Sequence, residues 1–158
     1  MNESPSINPV LPETAFAFHG SHTRVVDAKG RFNLPFKFLR GGAGPEEDKF
    51  VVSKGADGSL SLLPHSVWVA NFNRLRQGEP GPKLRAYLRR MSTNSKVVEP
   101  DSQGRVAVSH EILAEFGIDK KIIIVGVGSY MELWDPATLE AMNAEIEGEA
   151  AFNDEFFR

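Results

Sequence analysis

The sequence predicts a β-rich α+β domain made of two internal repeats with short helices at its periphery. Three observations carry that prediction. A motif is spelled twice: VVDAKGRFNLP at 25–35 and VVEPDSQGRVAVS at 97–109 both contain Asp-x-x-Gly-Arg. The segments after the two motifs match as well, FVVSKGADGSLSLLP at 50–64 and IIIVGVGSYMELWDP at 122–136, each an apolar run, a glycine-bearing turn and a second alternating run. Self-similarity at a fixed period marks a repeat. Each repeat has only about 50 structured residues, a size at which a core is marginal, so the two copies should pack as one two-fold-like unit.

Aligning Gly30 with Gly104 puts Asp27 on Asp101, Arg31 on Arg105, Phe32 on Val106 and Leu34 on Val108, a spacing of 74. Each copy reads as two β-hairpins. In the first, Val25 and Val26 lead into a turn at Lys29-Gly30, after which Phe32, Leu34 and Phe36 alternate with polar positions at period two. Gly30 supplies positive φ at no steric cost, and Asp27 can accept bonds from amides that the turn leaves free.

Helices fill the rest. One is expected over about Ser66 to Arg76, and QGEPGP at 77–82 ends it. Pro82 then precedes Leu84, Tyr87, Leu88 and Met91, an i, i+3, i+4, i+7 stripe that predicts an amphipathic helix. A short helix should run from Ser109, as N-cap, to Gly117. A last one should start at Asp135-Pro136 and carry Leu139, Met142 and Ile146. The tail EGEAAFNDEFFR has aromatics without a clear period.

Composition narrows the function classes. Of 158 residues 41% are hydrophobic, enough for a core, and none is cysteine. Disulfides, thiolate metal sites and cysteine nucleophiles are thereby excluded, and a reducing compartment, the cytoplasm, is expected. No apolar run approaches the roughly 20 residues that span a bilayer. The start, MNESPSINPVLPETA, lacks the regions of a signal peptide and, with Pro5, Pro9 and Pro12, predicts a flexible tail over 1–17. A net charge of −3 argues against coating nucleic acid through bulk charge. Basic residues nevertheless gather at Lys29/Arg31/Lys37/Arg40 and at Lys83/Arg85/Arg89/Arg90/Lys96.

Two turns that each pair glycine with arginine would present cations symmetrically. Arginine there can contact phosphates or pair bidentately with guanine, as strands of β-ribbon readers do. The alternative is that Asp27–Arg31 and Asp101–Arg105 simply pair across their own turns. Lys83, Arg85, Arg89 and Arg90 fall on the outer side of their helix, a pattern common on solvated faces. Gly126-Val-Gly128 would need a third glycine at 131, where Met131 stands, so it fits a hairpin turn and not a dinucleotide loop. His19 and His22 lack companion ligands for a metal, and no nucleophile elbow is present. Trp68 and Trp134 follow the second hairpin of each copy and suit core or interface packing.

HTRVVDAKGRFNLPFKF with DGSLSLLPHSVW, then DSQGRVAVSHEIL with IIIVGVGSYMELWDPATLE, resemble the MraZ family, whose members consist of two SpoVT-AbrB-type repeats. The likeness covers roughly 18–146. It implies an AbrB/MraZ-like swapped-hairpin, double-psi-barrel-like β domain: repeat 1 over 21–67, a helical connector over 68–94, repeat 2 over 95–138, and a C-terminal helix and tail over 139–158. It further implies a ring-shaped homo-oligomer and a non-enzymatic regulator, usually a repressor of the division and cell-wall gene cluster. Such a protein binds direct repeats in double-stranded DNA upstream of its own gene, is nucleoid-associated, and needs no cofactor, metal, membrane or small-molecule substrate. DNA contact falls on Lys29, Arg31 and Arg105, with Gln103, Arg24 and Lys37 as further candidates, and Asp27, Gly30, Asp101 and Gly104 form the turns. Gln103 stands where many members have a basic residue, and Ser109 where the motif often ends in proline. The runner-up is a non-enzymatic oligomeric scaffold that binds protein partners.

Overall fold

The two repeats interlock strand by strand. In a computed structural model, which describes residues 18–40, 42 and 48–158, repeat 1 supplies β1 (Ser21–Val25), β2 (Arg31–Asn33), β3 (Phe50–Lys54) and β4 (Leu60–Pro64). Repeat 2 supplies β5 (Ser95–Val98), β6 (Arg105–Ala107), β7 (Lys121–Gly126) and β8 (Met131–Trp134). The tail expected over 1–17 lies outside the described residues. Six strands form one antiparallel sheet in the order β1-β7-β8-β4-β3-β5, and β2 pairs with β6 alone. Exchanging β1 with β5, β3 with β7 and β4 with β8 reverses that order onto itself. The sheet is thus a palindrome, with the β4–β8 pair at its centre.

This arrangement corrects the expectation of two hairpins per copy. β3–β4 and β7–β8 are hairpins. The strands flanking each Asp-x-x-Gly-Arg turn are not partners: β1 pairs with β7 and β2 with β6, both from repeat 2. Period-two alternation specifies which face a strand buries and leaves its partner open. Phe36 departs as well, because β2 ends at Asn33 and Phe36 sits exposed in a 3-10 turn over Phe36–Phe38.

Alternation explains the core. On β2 and β6 only the central residues, Phe32 and Val106, turn inward, and both are fully buried. Phe50, Leu60 and Leu62 from one hairpin and Ile122, Ile124 and Leu133 from the other meet them. Val51 points the opposite way and is also buried, so this part of the sheet is covered on both sides.

Among the described residues, five α-helices surround the strands. α1 (His65–Arg76) and α2 (Pro82–Thr93) form within a residue or two of their expected bounds. α3 (His110–Glu115) is capped by Ser109, whose hydroxyl accepts from the Ile112 amide. α4 (Pro136–Glu145) is capped by Asp135, which accepts from the Thr138 amide and hydroxyl. Ile146 lies one residue beyond α4, in extended backbone. The periodless tail forms α5 (Glu149–Phe156). The two tryptophans are not equivalent: Trp134 ends β8, buried, whereas Trp68 is on α1, stacked on Phe72.

Candidate nucleic-acid interface

Each Asp-x-x-Gly-Arg turn is a closed unit with the same bonds. In the first, the Asp27 amide donates to the Arg31 carbonyl (2.9 Å) and the Gly30 amide to the Asp27 carbonyl (3.0 Å). Oδ1 of Asp27 accepts from the Lys29 and Arg31 amides, both at 2.9 Å, and Oδ2 from Nε of Arg31 at 2.7 Å. In the second, Oδ1 of Asp101 accepts from the Gln103 and Arg105 amides at 2.9 and 3.0 Å, and Oδ2 from Nε of Arg105 at 2.8 Å. Gly30 and Gly104 adopt φ of 75° and 76°, values that a side chain makes costly.

The carboxylates carry the electrostatic mark of this geometry. The ordinary value of 3.8 falls to about 2 at Asp27, chiefly through the bond from the Arg31 backbone amide; partial desolvation opposes the shift, and the Arg31 side chain and the Lys29 amide add to it. Asp101 is lowered for the same leading reason, the bond from the Arg105 amide.

The turns are buttressed by the opposite repeat. The Gly30 carbonyl accepts from the Val108 amide and the Gly104 carbonyl from the Leu34 amide, both at 3.0 Å. Nδ2 of Asn33 donates to the Gln103 carbonyl at 3.0 Å, and Nε2 of His110 lies 2.7 Å from the Ala28 carbonyl. Neither Asn33 nor His110 was marked by motif, since their role depends on which strands meet.

Register places the two arginines together. Arg31 faces Ala107 and Asn33 faces Arg105 across the β2–β6 pair. With Phe32 and Val106 inward, these four residues share the outward face, and the arginines are diagonal neighbours about 7–8 Å apart by β geometry. Asparagine and alanine leave that face unobstructed and exposed.

Across-turn pairing, the alternative reading, does occur, but it engages one edge of each guanidinium. Aspartate takes Nε, and among the described residues no partner occupies the Nη edge of Arg31 or Arg105. Their side chains keep 33% and 26% of their exposure. Aspartate therefore orients each arginine and leaves its two-pronged end available, the edge that binds phosphate or guanine. Lys29 and Gln103 stand exposed on the two turns. A cleft of about 500 Å³ beside the second turn is lined by Asn33, Phe36, Arg40, Asp101 and Gln103 among others.

Arg24 and Lys37 lie apart from this face. Arg24 is on β1 of the larger sheet, its Nη1 donating to the Thr23 carbonyl at 2.9 Å. Lys37 is exposed in the 3-10 turn with its ammonium 5.4 Å from the centre of the Phe38 ring. Among the described residues no group of three or more His, Cys, Asp or Glu could hold a metal, and no helix is long and apolar enough to cross a membrane.

Interlocked strands, a palindromic sheet and paired Asp-Gly-Arg turns define a β-rich α+β protein built from two repeats. Within that class the sequence is specific. The chain belongs to the MraZ family. Residues 91–156 match the family described as "MraZ protein, putative antitoxin-like". A "Transcriptional regulator MraZ" from Corynebacterium diphtheriae is 32% identical over 137 residues, 86% of this chain and 92% of the relative. One from Corynebacterium glutamicum is 31% identical over the same shares. One from Burkholderia cenocepacia is 32% identical over 124 residues, 78% of this chain and 86% of the relative. These relatives are named as transcriptional regulators, not as enzymes.

Proposed function

We propose that this chain is a non-enzymatic, sequence-specific DNA-binding regulator of the MraZ type. It represses the division and cell-wall gene cluster by binding direct repeats upstream of its own gene, in the cytoplasm at the nucleoid. The observation that carries this reading is the shared outward face of Arg31 and Arg105, with both Nη edges open. A two-stranded β-ribbon fits the major groove, where arginine pairs bidentately with guanine O6 and N7. Lys29 adds a phosphate contact at one turn and Gln103 a neutral donor at the other; Arg24 and Lys37 reach the flanking backbone.

The net charge of −3 is compatible with this role when several copies act together. A ring-shaped homo-oligomer places several ribbons on several repeats at once, and linked sites gain effective concentration without new contacts. Multivalency then supplies what bulk charge does not.

The deciding experiment is fluorescence anisotropy of wild type and Arg31→Ala against a duplex from immediately upstream of the gene and against a scrambled one, over a salt series. Preference for the upstream duplex and a steep linear fall of log K with log salt are expected of wild type, and weaker binding to the upstream duplex with a shallower slope of Arg31→Ala. Equal weak binding to the two duplexes, unchanged by Arg31→Ala, overturns the proposal.

A further inference from the structure

Charge is segregated between two surfaces remote in sequence. α1 and α2 carry six cations, Arg74, Arg76, Lys83, Arg85, Arg89 and Arg90, and no acid. Positions 140–155 carry six acids, Glu140, Glu145, Glu147, Glu149, Asp154 and Glu155, and no cation.

Among the described residues, each surface also has apolar area without an internal partner. Between α1, α2 and the β3–β4 hairpin runs an open groove of about 540 Å³, whose lining includes Leu63, Trp68, Phe72, Leu75, Tyr87 and Met91. Trp68 and Phe72 stack at 4.9 Å along it, and Leu75 and Tyr87 are 38% and 42% exposed. On the acidic side no residue of α5 is buried, and Phe152, Phe156 and Phe157 are 78%, 82% and 77% exposed. Phe152 and Phe156, four apart, share one face of the helix. An eight-residue helix is marginal in water by itself and is normally held by packing its apolar face. Exposed aromatics clustered in this way mark a contact surface.

We infer that α5 of one copy docks into the α1–α2 groove of a second copy, Phe152 and Phe156 against the aromatic floor and the acids beside the cations of α1 and α2. The inference rests on the multi-subunit assembly proposed above and names the surfaces that build it. Groove and helix are different patches, so the contact is head-to-tail, the kind that closes into a ring when the rotation per step permits. A DNA backbone would use the cations but leave the apolar floor uncovered, which favours the acidic aromatic helix as occupant.

The chain has no cysteine, so introduced ones report cleanly. Full-length Leu75→Cys and Phe156→Cys, mixed and oxidised, are expected to give a cross-linked dimer that neither gives alone. A chain ending at Glu147 should lose assembly mass in light scattering while keeping its unfolding midpoint. The exposed-site variant Leu75→Glu with Tyr87→Glu should do the same. Mixing these last two, one lacking the helix and the other the groove, should restore a one-to-one dimer and nothing larger. Three results overturn the inference: wild-type mass in the shortened chain; no cross-link between the two mixed single-cysteine chains; or a groove variant that loses DNA affinity at unchanged mass, which would assign the cations to phosphates. Arg31→Ala keeps its mass in every case, so failure of the DNA reading is read separately.

Discussion

Arg31 of the first repeat stands diagonally across the β2–β6 ribbon from Arg105 of the second, both on the face opposite the buried Phe32 and Val106. Each is steadied through Nε by its own turn's aspartate. Replacing either by alanine should weaken binding to the upstream duplex by about 1–3 kcal/mol, the worth of one bidentate pair. The double variant should keep only binding that does not distinguish the scrambled duplex. Anisotropy titrations read the affinities, and circular dichroism should show an unchanged fold. Wild-type affinity in both single variants would remove the ribbon face from the interface.

Gln103 occupies on the second turn the place of Lys29 on the first. Gln103→Lys should strengthen DNA binding and steepen the slope of log K against log salt by about 0.9 for each subunit engaged, as one more phosphate is neutralised. A salt series on wild type and variant tests this. An unchanged slope would mean that the second turn faces away from the backbone.

Acid should loosen the turns in a defined window. Asp27 titrates at about 2 in the folded chain against an ordinary 3.8, so within that interval the unfolded state binds more protons. Its contribution to stability is full above 3.8, declines as the pH falls toward 2, and is gone below. Asp101 is shifted in the same direction. Urea midpoints measured from about pH 6 to pH 2 should fall on the acid side. Asp27→Asn should lower the midpoint near neutrality and flatten that fall; an acid limb identical to wild type would place its origin elsewhere.

The two turn glycines should differ in their tolerance of alanine. Both have positive φ, a conformation costing an L-residue about 1–2 kcal/mol. At Gly30 a Cβ would also collide with the Val108 backbone carbonyl, whereas at Gly104 it meets the terminal Cδ1 of Leu39, 2.9 Å away and able to turn aside. Gly30→Ala should therefore cost clearly more than Gly104→Ala in denaturant unfolding. Equal losses would show that the Val108 contact relaxes freely.

What could be read in the sequence was what depends on neighbours in sequence. Asp27 and Asp101 form the expected turns because their bonds reach only four residues, and Ser109 and Asp135 cap helices for the same reason. The hairpin reading failed at β1 and β2 because alternation shows which face is buried and not which strand lies alongside; there the family resemblance carried the swap. Asn33 and His110 became visible as parts of the site only once repeat 2 was seen against repeat 1. The helix at 149–156 escaped because none of its residues is buried, and without a buried side there is no period to detect.

The palindromic sheet also bears on the kind of DNA word such a chain can read. Two identical half-chains could build the same sheet, but equal halves would give equal tips, and a protein with true two-fold symmetry asks for a DNA site with the same symmetry. Joining the halves in one polypeptide lifts that demand. Lys29 answers to Gln103, Asn33 to Ala107 and Phe36 to His110, so the ribbon has a front and a back. A reader with such polarity can recognise a word that differs from its own reverse complement, and only words of that kind have a direction in which they can be lined up one after another.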